Sequence, residues 1–119
     1  QLRQGHVRFV DQQQEVLRIK QLELRIIREI RRAVDALNTS RKVVETTGKA
    51  VEFEKRKLDN ERTKLDLGKS STDNVVRFIE SLNSARLSYI QAVVDFNRAL
   101  VRLEQSQGTT LNQYGVTIE

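Results

Sequence analysis

The sequence predicts an all-α fold, a long antiparallel two-helix coiled-coil hairpin, on three observations. The 119 residues contain no Pro and only five Gly, so strands and a many-element fold have almost no punctuation to build on. Apolar residues recur every seven positions over much of the length. One cluster of turn formers, Leu67-Gly68-Lys69-Ser70-Ser71-Thr72-Asp73, divides the chain into two periodic segments of unequal length.

The first helix is expected from about residue 7 to 66. Only Gly48 interrupts its good helix formers, at a cost of ~1 kcal/mol relative to Ala, which does not break a long helix. Ile30, Leu37, Val44, Val51, Leu58 and Leu65 form one heptad column, while the positions four residues on read Val34, Arg41, Gly48, Lys55 and Arg62. The heptad therefore carries one strongly apolar position per repeat, with small residues Ala33, Ala36, Ser40, Thr47 and Ala50 allowing close approach along its flanks. Such a helix has a narrow seam and two wet faces.

The tip turn is expected at 67–71. Gly68 suits the left-handed position that follows a helix C-terminus, and Ser71 or Thr72 supplies an oxygen to cap the next helix. The second helix is expected from about 72 to 105, with apolar positions Val75, Ile79, Leu82, Ile90, Val93, Leu100 and Leu103, and with Phe78, Leu87, Tyr89, Val94 and Phe96 widening the stripe. After Gln105 the pattern is lost, and 106–119 reads as an irregular tail with a short extended piece at Val116-Thr117-Ile118. The whole is one hairpin segment.

Length carries a consequence. At 1.5 Å per residue the first helix spans roughly 90 Å and the second roughly 50 Å, so the second covers only Ala33 to Asp66 of the first. The overhang carries Val16, Leu17, Ile19, Leu22, Leu24, Ile26, Ile27 and Ile30. Each is worth ~1.5–3 kcal/mol when buried, which predicts packing against something outside this chain. A bare hairpin of this size also buries little surface, so association with other copies or further segments is expected.

Composition excludes most chemistry. The net charge is +5, but Arg41, Lys42, Lys49, Lys55, Arg56, Lys57, Arg62 and Lys64 are interleaved with Glu45, Glu52, Glu54, Asp59, Glu61 and Asp66. That is the pattern of a solvated surface rather than a nucleic-acid stripe. No apolar run exceeds about three residues, against the ~18 that a spanning helix needs. The absence of Met predicts a piece of a longer product, and the absence of Cys excludes disulfides and thiolate metal sites. His6 is the sole His, Ser70-Ser71-Thr72 has no base near it in sequence, and Gly68 belongs to no phosphate-binding motif. Phe9, Phe53, Phe78, Tyr89, Phe96 and Tyr114 are scattered singly. The expectation is a protein without enzymatic activity, cofactor, metal or nucleic acid.

Two stretches carry a family resemblance. The tip reads Lys64-Leu65-Asp66-Leu67-Gly68, then Ser70-Ser71 and Asn74-Val75-Val76; the return helix reads Ala85-Arg86-Leu87-Ser88-Tyr89, then Asp95-Phe96-Asn97-Arg98-Ala99-Leu100 to Leu103 and Gly108-Thr109-Thr110-Leu111. Over roughly 14–111 the chain resembles the C-terminal periplasmic hairpin of TolC-type outer-membrane efflux proteins. The resemblance implies a homotrimeric exit duct for multidrug efflux or type I secretion, in which each subunit gives four helix strands to a hollow α-barrel below an outer-membrane β-barrel. This segment would lie in the periplasm and outside the membrane. In that family the tip docks a periplasmic adaptor, itself joined to an inner-membrane transporter, and polar residues after the turn hold the closed aperture.

Carried over by position, the adaptor-binding tip is Leu65, Leu67, Gly68, Lys69, Ser70 and Ser71, and the aperture residues are Asp73, Asn74 and Arg77. Inter-helix packing falls to Ile30, Leu37, Val44, Val51, Leu58, Val75, Ile79, Leu82, Val93 and Leu100. The chain departs from the family pattern in having Lys69 where many members are apolar and Asn74 where many are acidic. Two other readings remain open: the coiled-coil hairpin of a periplasmic adaptor, which predicts helices of nearly equal length, and a cytoplasmic coiled-coil scaffold or nucleic-acid-binding arm.

Overall fold

The computed structural model of the protein describes residues 2–113. Two helices account for almost all of them, α1 (Leu2–Asp66) and α2 (Thr72–Gln113), joined by residues 67–71. They pack side by side as an antiparallel hairpin of 100 × 30 × 15 Å, one helix thick throughout. The 65 residues of α1 alone account for the long axis at ~1.5 Å per residue. The radius of gyration is 27.2 Å, where a compact chain of this length would have about 13–14 Å.

The seam follows the heptads. Val51, Leu58, Val75 and Leu82 are buried together, with Leu65, Phe78, Ile79 and Ala85 packed against them. Stepping one heptad at a time from this cluster sets Val44 beside Tyr89 and Ala33 beside Ala99, and both pairs do line common hollows. The ring of Tyr89 lies over the Gly48 backbone, within ordinary contact distance of where a Cβ would stand. All ten residues assigned to inter-helix packing are at least half-buried.

Three expectations are corrected. The second seam column of α1 lies three residues on from the apolar one, not four, and comprises Ala33, Ser40, Thr47, Glu54 and Glu61. Both choices alternate steps of three and four, so spacing does not decide between them; α2 lies on the side of the small column, where 33, 40, 47, 54 and 61 are covered while 34, 41, 55 and 62 stay exposed. Layers of large side chains thus alternate with layers of small ones, and Ala92 and Ala99 of α2 are buried opposite the small column. Ile90, expected in the seam of α2, is 57% exposed and points away from α1.

The third correction concerns length. The segment 106–113, read as irregular, continues α2, so the structure extends the return helix to Gln113; residues 114–119, with the expected extended piece, lie outside the described residues. α1 likewise begins at Leu2 rather than near residue 7. The longer α2 reaches further along α1, to where Ile26 is buried and Leu22 is half-buried within this chain. Val16, Leu17, Ile19, Leu24 and Ile27 stay at least half exposed, and the length of α1 beyond the described part of α2 is the first three heptads.

Gly68 ends α1 at a φ of 72°, in the left-handed region, with no atom near enough to obstruct a Cβ. Gly68→Ala therefore tests backbone strain alone, and should lower stability by about 1 kcal/mol. Gly5→Ala, in open space within a helix, should leave stability unchanged or raise it by up to ~1 kcal/mol. Leu82→Ala should cost about 2 kcal/mol, at the low end for a core leucine because both flanks of the seam are open to water. Thermal or urea unfolding followed by circular dichroism measures all three.

Candidate docking tip and lateral faces

The tip is closed by backbone bonds rather than by packing. The Lys69 amide donates to the Lys64 carbonyl at 2.8 Å and the Gly68 amide to the Leu65 carbonyl at 3.0 Å. These nested bonds around a left-handed glycine satisfy carbonyls that the end of α1 leaves open. Three residues later Ser71 caps α2, its Oγ accepting from the Asn74 amide at 3.3 Å. Of the two candidate caps in the sequence, Ser71 is the one used.

Beneath the turn, the seam ends on a buried carboxylate. Glu61 is 8% exposed; its Oε1 accepts a hydrogen bond from the Ser70 hydroxyl, and its Oε2 lies 3.7 Å from Lys64 Nζ. The bond spans nine residues, tying the loop to the last turns of α1. One heptad back, Glu54 lies 3.5 Å from Lys57, whose ammonium sits 5.4 Å from the centre of the Phe53 ring and 5.2 Å from that of Phe78. Lys57 thus bridges the helices through a carboxylate on one and an aromatic ring on the other.

The candidate tip residues separate into two groups. Leu65 is half-buried in the seam cluster and Ser70 is turned inward onto Glu61, so both support the turn. Leu67, Gly68, Lys69 and Ser71 are exposed at the apex, Leu67 by 65%. Asp73, Asn74 and Arg77 are all exposed on the first turns of α2. Asp73 lies in the first turn, where a carboxylate interacts favourably with unpaired helix N–H groups.

A further surface escaped the sequence reading. On α2, Val76, Leu87, Ile90, Val94 and Val101 are all exposed, and Leu87, Val94 and Val101 fall seven residues apart. At 100° per residue their mean direction lies roughly 150° around the helix from the face turned to α1. Heptad spacing among these outward residues was the available signal, and it was absorbed into the assumption of one broad stripe. On the neighbouring side, Val44, Gly48, Phe53 and Tyr89 line a long shallow groove between the helices, fringed by Glu45, Lys49, Glu52 and Arg56.

Among the described residues no group of three His, Cys, Asp or Glu is placed to hold a metal, and no helix is long and apolar enough to cross a membrane. The hollows on the surface are open grooves lined by helix flanks. Comparison of the chain with protein-family models, with curated proteins and with solved structures finds no match.

Glu61→Ala removes the acceptor of the Ser70 hydroxyl and should destabilise the hairpin by about 1 kcal/mol. Glu61→Gln, whose amide oxygen still accepts from Ser70, should lose less. Amide hydrogen exchange at residues 67–71 measures the local part of the effect, with faster exchange expected for the alanine variant.

Proposed function

We propose that this hairpin is a wall segment of a periplasmic exit duct, the part of an outer-membrane efflux or secretion channel that the resemblance at its tip and return helix implies. The observation that carries the reading is the second apolar face of α2. A helix in a solid bundle is apolar on one broad face, and a helix in a closed single-layer ring is apolar on two, with water on both remaining sides. The angle between the two faces sets the size of the ring. Roughly 150° is the interior angle of a twelve-sided ring, the number reached when three copies each contribute four helix strands.

In the proposed assembly the apex formed by Leu67, Gly68, Lys69 and Ser71 docks a periplasmic adaptor, which links the duct to an inner-membrane transporter. Asp73, Asn74 and Arg77, presented just behind the apex, would meet their counterparts across the ring axis. The duct works by shape and gating, with no catalytic residue, cofactor or metal. Its hairpin lies in the periplasm.

A photoreactive residue at Ile90, in the protein as its host makes it, should crosslink in the cell envelope to a three-copy product; a ladder ending at two copies overturns the reading. Leu67→Asp should leave the unfolding midpoint unchanged, because that side chain is exposed, and should abolish capture of the adaptor and the export that depends on it. Wild-type export by Leu67→Asp would remove the apex from the docking surface.

A further inference from the structure

The positive charge of this chain is concentrated in one band. Residues 18–32 of α1 and 98–105 of α2 hold eight of the 21 Lys and Arg but only three of the 16 Asp and Glu, which is the whole of the net charge of +5. The two stretches lie side by side, because Ala33 is level with Ala99 in the antiparallel pair. Between 41 and 66, six carboxylates are interleaved with eight cations and give a solvated surface. In the band the same number of cations has half as many carboxylates.

Five of the arginines share one continuous surface. Arg25, Arg28 and Arg32 line a hollow on α1 with Glu29; Arg32 and Glu29 also line the hollow between the helices, whose far wall is Arg102; and Arg102 lines the next hollow with Arg98. All five residues are exposed. None of them has an ion-pair partner among the described residues, where the salt bridges join lysines to glutamates between 52 and 64. Asp95, one turn before Arg98, accepts from Gln91 Nε2 at 3.0 Å.

This placement works against the hairpin by itself. Arg28 and Arg32, and again Arg98 and Arg102, stand four residues apart, where like charges on a helix repel. An anion seated between them turns the repulsion into attraction. A guanidinium donates in a planar fork, and one is enough to engage both oxygens of a carboxylate. Each hollow has at least two, which suits a group with more acceptor oxygens, a phosphate. Between Arg32 and Arg102 the floor is Ala33, Ala36 and Ala99, so a compact group can come close to both backbones, while an acyl chain finds nothing deeper than methyl groups. No aromatic side chain lines any of the three hollows, and a nucleic-acid base has no platform on which to stack.

We infer that Arg25, Arg28, Arg32, Arg98 and Arg102 form a binding surface for a soluble ligand that carries several phosphate groups. The hollows follow one another across the ~10 Å that separates packed helix axes, so phosphates joined in a short chain reach more than one of them at once. Glu29 is the one carboxylate lining these hollows, and it opposes binding. The inference does not rest on the duct reading. It uses a flank of the hairpin, which is wet in a closed ring and in a free hairpin alike.

Isothermal titration calorimetry of the 119-residue chain with inorganic tripolyphosphate should show saturable binding, weakened about fivefold by Arg32→Gln and by Arg102→Gln. Glu29→Gln should tighten binding by a similar factor. Arg62→Gln, at an exposed position far along α1 from the band, should bind as the wild type does. The four substituted side chains are exposed, so circular dichroism should report an unchanged fold in every variant. Absence of saturable binding overturns the inference. Equal weakening by Arg62→Gln overturns it as well, because affinity would then follow net charge and not this surface. Tighter binding of polyglutamate, single-stranded DNA or phosphatidylglycerol vesicles than of tripolyphosphate also overturns it, assigning the arginines to a carboxylate partner, a nucleic acid or a membrane. None of these outcomes bears on crosslinking from Ile90, which lines none of the three hollows.

Discussion

Everything in this hairpin hangs on the alternation of large and small layers along one seam. Val44, Val51, Leu58 and Leu65 supply width from α1, and Ala33, Ser40 and Thr47 supply clearance between them. Facing them, Ala92 and Ala99 let the α2 backbone come close where α1 is also small. Two helices with no third layer can bury only what lies directly between them, and among the described residues no side chain is completely buried. The seam fixes which residues are left outside.

Toward the tip the same alternation changes chemistry. The small column ends in Glu54 and Glu61 rather than in Ala or Ser, and each glutamate is held by a lysine three residues on. A carboxylate in a seam position is costly to desolvate unless its oxygens are occupied, and Ser70 and Lys64 occupy those of Glu61. An apolar seam can slide by a heptad with modest loss; a seam ending on a carboxylate that must meet Ser70 cannot. The polar end therefore fixes the register at the apex, where Leu67 and Lys69 must be presented in one orientation. Rigidity there comes from the bonds around Gly68 and from Glu61, since Leu67 itself packs on nothing.

The large column was legible from sequence because Ile30 to Leu65 repeat every seven residues, and all of them lie in the seam. The turn was legible for the same kind of reason, since Gly takes the φ of 72° at position 68 without steric cost. The small column was not, because Ser40, Thr47, Glu54 and Glu61 carry no hydrophobic signal, and burial of such residues depends on a partner whose register the sequence does not state. The end of α2 was missed because Gly108, Thr109, Thr110 and Asn112 are weak helix formers. Residues 108–113 run beside 24–19 in the register that sets Ala33 level with Ala99, and Leu22 is half-buried there, so packing along α1 opposes that local preference. At the candidate site, the exposed apex followed from the turn, while Leu65 and Ser70 joined the interior because a tight turn draws the residues on either side of it inward.

The surface that remains explains why such a chain must be judged by what it meets. The accessible area is 10006 Å², against roughly 6,600 Å² for a compact protein of its mass. Part of the excess is the geometry of a rod, but the exposed apolar residues are not spread evenly over it. Leu87, Ile90, Val94 and Val101 run along the outward side of α2, and Leu2, Phe9, Val16 and Ile19 extend the α1 seam past the described part of α2. Both sets keep the spacing of the seam that is already filled. A hydrophobic surface with heptad order is specific in a way that a scattered one is not: it accepts a helix, at one angle, in one of two directions. For this hairpin, folding and assembly draw on one periodic pattern, and a substitution on any of its three apolar faces changes which helix the face can accept before it changes whether the hairpin folds.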